Sequence, residues 1–395
     1  MNQPLFNIGL LGSVSSGKST CIKALTGKKT QKHSAEKIKN ITIKPGYANL
    51  KIYTNGETLY TENQLILMNE NLSDYQLINH CSFVDCPGHH ELTLTMLGQV
   101  NIMNSAIVIV SAFENVIDNS QLIEHLKAAK LAEIKNIIVC LNKIDLVNKD
   151  KALTKKKEIE TLFKKLKLEY ISIIPTSFNY NLGVENVLEI INTLSSKTNK
   201  SEISNSPVFY ISRSFDINKP GTDFSNIKGG IVGGSLVSGQ LKIGDKIEIK
   251  PGIISQNKYE VIKTTINSLM SENEYLDTVH SGGLIAIGLN LDSNYTKNDK
   301  LVGNLLGLEN QLPDIYTEVE LYYSPLENNK LNINDKVYLQ IGSLSVISLL
   351  IDINDNKYKF KLSRPCCIDK NVKIYLCCRE GNFKILGYGL LELYS

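Results

Sequence analysis

The residues with the clearest chemistry in this chain form a short run near its start. Gly12-Ser13-Val14-Ser15-Ser16-Gly17-Lys18-Ser19 reads G-x-x-x-x-G-K-S and follows the apolar run 5–11. A buried strand, a glycine loop and then a helix over about 19–26 is the context in which this pattern cradles phosphate. Gly12 and Gly17 allow backbone conformations that a Cβ would block. The N–H groups from Ser13 through Gly17 can then turn inward on phosphate oxygens. The Lys18 ammonium would reach the β- and γ-phosphates, and the Ser19 hydroxyl would ligate Mg2+. Thr20 continues the cradle into the first helical turn, where the helix dipole adds positive potential.

Three further groups would complete a nucleotide site. Asp85-Cys86-Pro87-Gly88-His89 follows an apolar stretch. An aspartate at a strand end can hold Mg2+ through water, and Gly88 can donate its N–H to a γ-phosphate. His89, just beyond, would orient the attacking water. In Asn142-Lys143-Ile144-Asp145 the carboxylate can accept from guanine N1–H and from the exocyclic amine together, which adenine cannot match. Asn142 would tie that loop to the phosphate loop, the Lys143 stem would cover the base, and Ser177 with Phe178 would cap it. Thr42, in Asn40-Ile41-Thr42-Ile43, would close on Mg2+ and the γ-phosphate as a switch. The lysines around it (Lys28, Lys29, Lys32, Lys37, Lys39, Lys44) suit an RNA backbone or an ordinary solvated loop.

The elements needed to position these groups are legible in the apolar patterning. The runs 106–110 and 137–141 are continuous and β-rich, as for strands buried on both faces of a mainly parallel sheet. A helical stretch at 119–131 separates them in βαβ rhythm. The segment 149–167 is lysine-rich, with Leu153, Ile159, Leu162, Phe163 and Leu166 at helical spacing, and reads as an amphipathic surface helix. From Pro207 the helical rhythm gives way to short alternating segments with glycine turns, as in antiparallel barrels. These patterns predict an α/β P-loop domain over 1–200 and two β-barrel domains over 206–312 and 313–395.

The bulk numbers agree with that division. The chain has 395 residues, 42% of them hydrophobic, and a formal charge of +3. Such a length exceeds one core, and so small a charge makes no global field for nucleic acid. The longest apolar run falls well short of the ~18 residues a membrane helix needs, and the N-terminus does not read as a signal peptide. No membrane partner is expected. The eight cysteines include no C-x-x-C pair, which points to a reduced, cytoplasmic setting. The adjacent pairs Cys366-Cys367 and Cys377-Cys378 would point to opposite faces of their strands, as small apolar residues rather than zinc ligands.

These motifs, followed by two barrels, resemble the translational GTPases related to elongation factor Tu. The similarity is closer to the γ subunit of eukaryotic and archaeal translation initiation factor 2. Its switch segment resembles Asn40-Ile-Thr-Ile-Lys-Pro-Gly-Tyr-Ala-Asn49. Its second domain resembles Ser212-Arg-Ser-Phe-Asp-Ile-Asn-Lys-Pro-Gly221 and Lys228-Gly-Gly-Ile-Val-Gly-Gly-Ser235, and its third resembles Ile341-Gly-Ser-Leu-Ser345. The resemblance implies a GTPase cycling between GTP and GDP with Mg2+, and a carrier of initiator methionyl-tRNA to the small ribosomal subunit. It also implies assembly with α and β subunits, a GTPase-activating factor and a nucleotide-exchange factor. Asn40 and Tyr47, in the matching switch string, are the expected tRNA contacts; Tyr47 serves equally well as plain packing under the switch.

Several positions depart from the family pattern. Ser13 stands where the family usually has histidine, and His90 stands where it has an acidic residue. Residues 53–80 hold no cysteine, so no zinc knuckle is expected. The base-capping loop at Ser177-Phe178 and the segment 324–334 look shortened. Two alternatives follow: an elongation-type carrier of aminoacyl- or selenocysteyl-tRNA, and a GTP-gated scaffold with little hydrolysis.

Overall fold

The computed structural model describes residues 3–30, 46–89, 92–197, 206–218, 229–255, 258–272, 274–327, 329–369 and 372–391. Thr42, Asn40, His90 and the linker expected near 198 lie outside them. The chain divides into two compact units that part near residue 200.

In the first unit the apolar runs become the strands of one seven-stranded sheet. These are β1 (Phe6–Leu11), β2 (Gly46–Thr54), β3 (Leu59–Thr61), β4 (Gln76–Asp85), β5 (Ser105–Ser111), β6 (Asn136–Asn142) and β7 (Ser172–Thr176). Their order is β3-β2-β4-β1-β5-β6-β7, parallel from β4 through β7 and antiparallel at the β2 and β3 edge. Every residue of β1 and β5 is buried, as a strand covered on both faces requires. The helices are α1 (Lys18–Thr26), α2 (Glu62–Leu67), α3 (Thr93–Val100), α4 (Ser120–Leu131), α5 (Lys149–Leu166) and α6 (Val184–Ser196). On α5 the buried positions are Ile159, Leu162 and Phe163, while Leu153 is exposed. Six residues before Ile159, it lies about 120° round the helix, off the packed face. Among the described residues no helix is long and apolar enough to cross a membrane.

The second unit holds two closed antiparallel barrels, as the alternating pattern implied. The first is built from β8 (Val208–Phe215), β9 (Ile231–Lys242), β10 (Lys246–Ser255), β11 (Lys258–Ser271), β12 (Glu274–Leu276), β13 (Thr278–Leu289) and β14 (Leu305–Leu308). Its ring runs β10-β14-β8-β9-β13-β11 and closes through β10–β11, with β12 appended to β11. The second ring is β15 (Ile315–Pro325), β18 (Lys357–Cys367), β17 (Leu344–Asn354), β16 (Lys336–Ile341), β19 (Ile374–Glu380) and β20 (Asn382–Leu390), closed through β15–β20. Cys366 packs in the core of this barrel, whereas Cys367 joins Val208, Tyr210, Leu305 and Leu312 in a small cluster linking the two barrels. Neighbouring strand cysteines thus face opposite ways.

The same seam turns on one glycine. Gly342 has φ +53°, and a Cβ there would sit 2.1 Å from the Tyr210 ring. Beside it, the Ser343 hydroxyl donates to the Ile211 carbonyl at 2.9 Å. Gly342→Ala is therefore expected to lower the stability of the second unit by about 2 kcal/mol. Urea unfolding checks this; an unchanged midpoint would mean that the seam does not depend on that close approach.

Candidate nucleotide site

The carboxyl ends of β1, β4, β6 and β7 meet at one edge of the sheet, where ligands of open α/β sheets bind. The loop after β1 is bent by its glycines. Gly12 has φ +137°, and a Cβ would lie 2.3 Å from the Ile109 carbonyl oxygen. At Gly17, φ +113°, the same atom would meet Asn142 Nδ2 at 2.2 Å. Neither position admits a side chain, so the loop lies flat against β5 and β6. Lys18 starts α1 and turns its buried ammonium back into the loop, donating to the Gly12 carbonyl at 2.9 Å and the Ser13 carbonyl at 2.7 Å. Burial pulls the pKa of Lys18 below its ordinary value, with the nearby Asp85 carboxylate opposing that pull. Gly88 approaches from the end of β4: a Cβ there would lie 2.5 Å from Lys18 Nζ and 3.0 Å from the Gly12 carbonyl oxygen.

Asp85 gathers hydroxyls. Its Oδ2 accepts from Ser19 Oγ at 2.7 Å and from Thr30 Oγ1 at 2.5 Å. A hydroxyl and a carboxylate oxygen side by side are hard donors of the kind Mg2+ takes alongside phosphate and water, so these residues fit that ion. Asn142 works as a hub. Its Nδ2 donates to the Ser16 carbonyl at 2.9 Å, and its Oδ1 accepts from the Phe178 N–H at 3.3 Å. One amide thereby joins the phosphate loop, the end of β6 and the loop after β7. Asp145 is exposed but held: its Oδ1 accepts from Ser177 Oγ at 2.5 Å.

A cavity of about 660 Å³ opens between these parts. Val14, Ser15, Gly17, Lys18, Ser19, Thr20, Gly88, His89, Asn142, Lys143, Asp145, Ser177 and Phe178 line it. Ser13, Ser16 and Asp85 are not in its lining; they are buried against the loop and strand that form its wall. Five further residues face the cavity: Lys23, Lys29, Thr30, Leu146 and Asn179. Lys23 could have been found by helical spacing, since it lies one turn beyond Ser19 and Thr20. Nothing in the local sequence marks Thr30, which packs where a Cβ on Gly46 would strike it at 2.6 Å. Tyr47 is half-buried on β2 and does not line the cavity. Its hydroxyl donates to Gln99 Oε1 on α3 at 2.9 Å, which ties it to the packing under that edge.

A glycine-bent phosphate loop, an Asp-x-x-Gly turn and an Asn-Lys-x-Asp loop on one parallel sheet, with two barrels after it, define a translational GTPase. The family profile described as "Elongation factor Tu GTP binding domain" matches residues 3–197, and "Initiation factor eIF2 gamma, C terminal" matches residues 317–391. The chain is 35% identical to the eukaryotic translation initiation factor 2 subunit gamma of Encephalitozoon cuniculi, over 99% of this chain and 93% of that one. It is 32% identical to translation initiation factor 2 subunit gamma of Archaeoglobus fulgidus, over 98% of this chain and 95% of that one. Among solved structures, a bacterial selenocysteine-specific elongation factor EF-Sec aligns with TM-score 0.77 at 19% identity. That alignment covers 98% of this chain and 58% of the other, and shows the shared fold alone. This chain belongs to the gamma-subunit family of translation initiation factor 2.

The hub at Asn142 yields a direct test. Asn142→Ala strands the Ser16 carbonyl and the Phe178 amide, and should cost the first unit about 2 kcal/mol. Hydrogen exchange at the Phe178 amide should accelerate in step with that loss. Unchanged protection there would show that the amide does not depend on Asn142.

Proposed function

We propose that this translation-initiation GTPase carries initiator methionyl-tRNA to the small ribosomal subunit while it holds GTP, and lets it go after hydrolysis. The observation that carries the reading is the single cavity shared by Lys18, Gly88, His89 and Asp145, because it joins a phosphate end, a switch turn and a base end. Membership of this family supports guanine nucleotide binding. Ser13, Val14, Ser15, Ser16 and Gly17 shape the phosphate cradle, and Lys18 and Thr20 hold phosphate oxygens. Ser19 and Thr42 would hold Mg2+, with Asp85 holding it through water, and the ion would supply neutralisation of charge on the β- and γ-phosphates. Asn142, Lys143, Asp145, Ser177 and Phe178 receive the guanine.

His89 orients a water for attack on the γ-phosphorus, and the bond to the β-phosphate oxygen breaks as the new one forms. The Gly88 N–H reports whether a γ-phosphate is present. Asn40 and Tyr47 meet the aminoacyl end of the tRNA; for Tyr47 this requires its ring face, since its hydroxyl is engaged by Gln99. The working protein is cytoplasmic and assembles with α and β subunits, with separate activating and exchange factors. Domains over 1–200, 206–312 and 313–395 divide the labour between nucleotide and tRNA.

Protection of charged tRNA from deacylation tests the function. With GTP, initiator methionyl-tRNA should deacylate at least about tenfold more slowly than with GDP, a difference of ~1.4 kcal/mol in grip. Elongator methionyl-tRNA should be left unprotected. Equal protection of both tRNAs, or of the initiator with either nucleotide, would overturn the reading. Single-turnover hydrolysis should accelerate with an activating factor and lose that acceleration in His89→Ala.

A further inference from the structure

Three consecutive residues of the phosphate loop are held by side chains from one stretch of chain, residues 111–125. The Gly12 N–H donates to His125 Nδ1 at 3.0 Å, and the Val14 N–H donates to Gln121 Oε1 at 3.2 Å. Between them the Ser13 hydroxyl donates to Glu114 Oε2. Gln121 and His125 are four residues apart on α4 and so share one helix face. Glu114 sits in the connection between β5 and α4.

Glu114 is the centre of this arrangement because its carboxylate accepts from three places at once. Besides Ser13, it takes the Ser111 N–H at 2.6 Å and Asn119 Nδ2 at 2.7 Å. Asn119 also caps α4 by accepting from the Leu122 N–H at 3.0 Å. One carboxylate therefore joins the phosphate loop, the end of β5 and the start of α4. A carboxylate away from water is costly unless donors answer it, and here three donors do so. Burial pushes its pKa up; the Ser13 and Ser111 hydrogen bonds and the Lys18 and Lys143 charges work against that push.

We infer that Glu114 is a positioning residue: through Ser13 it fixes the phosphate loop and sets how quickly bound GDP leaves. The inference rests on the nucleotide reading of the cavity. A nucleotide leaves a cradle faster when the cradle's own backbone can deform, and Ser13 is the residue at which this chain can relax. Two effects of the carboxylate oppose each other. Its charge repels phosphate, whereas its hydrogen bond stiffens the loop. The charge is already answered by Lys18 and three donors, so the stiffening prevails.

Release of a fluorescent GDP analogue, chased with excess GDP, tests this in the full chain. Ser13→Ala should speed release by about tenfold, the loss expected for one hydrogen bond to a charged acceptor, and Glu114→Gln, which keeps an amide oxygen but loses the charge, should speed it by a smaller factor. The double variant should release no faster than about the quicker single one, since both changes act on the same Ser13–Glu114 link. In Glu114→Gln the single-turnover hydrolysis step at saturating GTP should stay within about twofold, so the effect falls on nucleotide retention and not on chemistry. Slower release in Glu114→Gln, with Ser13→Ala unchanged, would mean that repulsion dominates and would overturn the inference. Additive effects in the double variant would overturn it too. If Glu114→Gln does not fold, Ser13→Ala alone decides, because it leaves the carboxylate and its other two donors in place. Failure of the unaltered chain to bind the analogue would refute the nucleotide reading itself, whereas binding with unaltered release in both variants would refute only the latch.

Discussion

The buried ammonium of Lys18 is the interaction on which the phosphate loop depends. Lys18 turns its largely buried ammonium back into the loop at the cavity wall, a placement that costs several kcal/mol unless partners answer it. Two loop carbonyls, at Gly12 and Ser13, take its protons, and the Asp85 carboxylate lies near enough to offset part of the burial. That arrangement needs a loop bent until its carbonyls converge, and the bend is possible only where Gly12 and Gly17 stand bare against β5 and Asn142. An incoming phosphate offers the cation a better partner than neutral carbonyls do.

The surrounding residues keep this geometry from relaxing. Asn142 fixes the loop from the β6 side, and Glu114, Gln121 and His125 fix it from the segment between β5 and the end of α4. Asp85 draws Ser19 and Thr30 together at the place where hard oxygen ligands are wanted. Each tether joins residues far apart in the chain, so the cradle forms only once the sheet is complete.

How much of this could be read beforehand follows from how local each signal is. The phosphate loop, the Asp85–Gly88 turn and the Asn142–Asp145 loop announce themselves through residue type at fixed spacing, and the parallel strands through unbroken apolar runs. The barrels showed as alternation and glycine turns, but the strand partners that close them did not, because β10 finding β11 and β14 is a matter of pairing at a distance. Thr30 and Glu114 were invisible for the same reason: nothing in their neighbours marks a residue whose partner is more than fifty positions away. Leu153 misled because it falls near the apolar stripe of α5 in sequence but off it in angle.

The central claim is that strand ends converge on a site built for guanine nucleotide, with Asp145 reading the base. Titration calorimetry of the unaltered chain and of Asp145→Asn, each with GTP and with xanthosine triphosphate, tests it most directly. A carboxylate accepts from the guanine amine, whereas an asparagine amide donates to the xanthine oxygen that replaces it. The unaltered chain should prefer GTP, and Asp145→Asn should reverse the preference by at least about a hundredfold overall. Equal selectivity in the two proteins would contradict it.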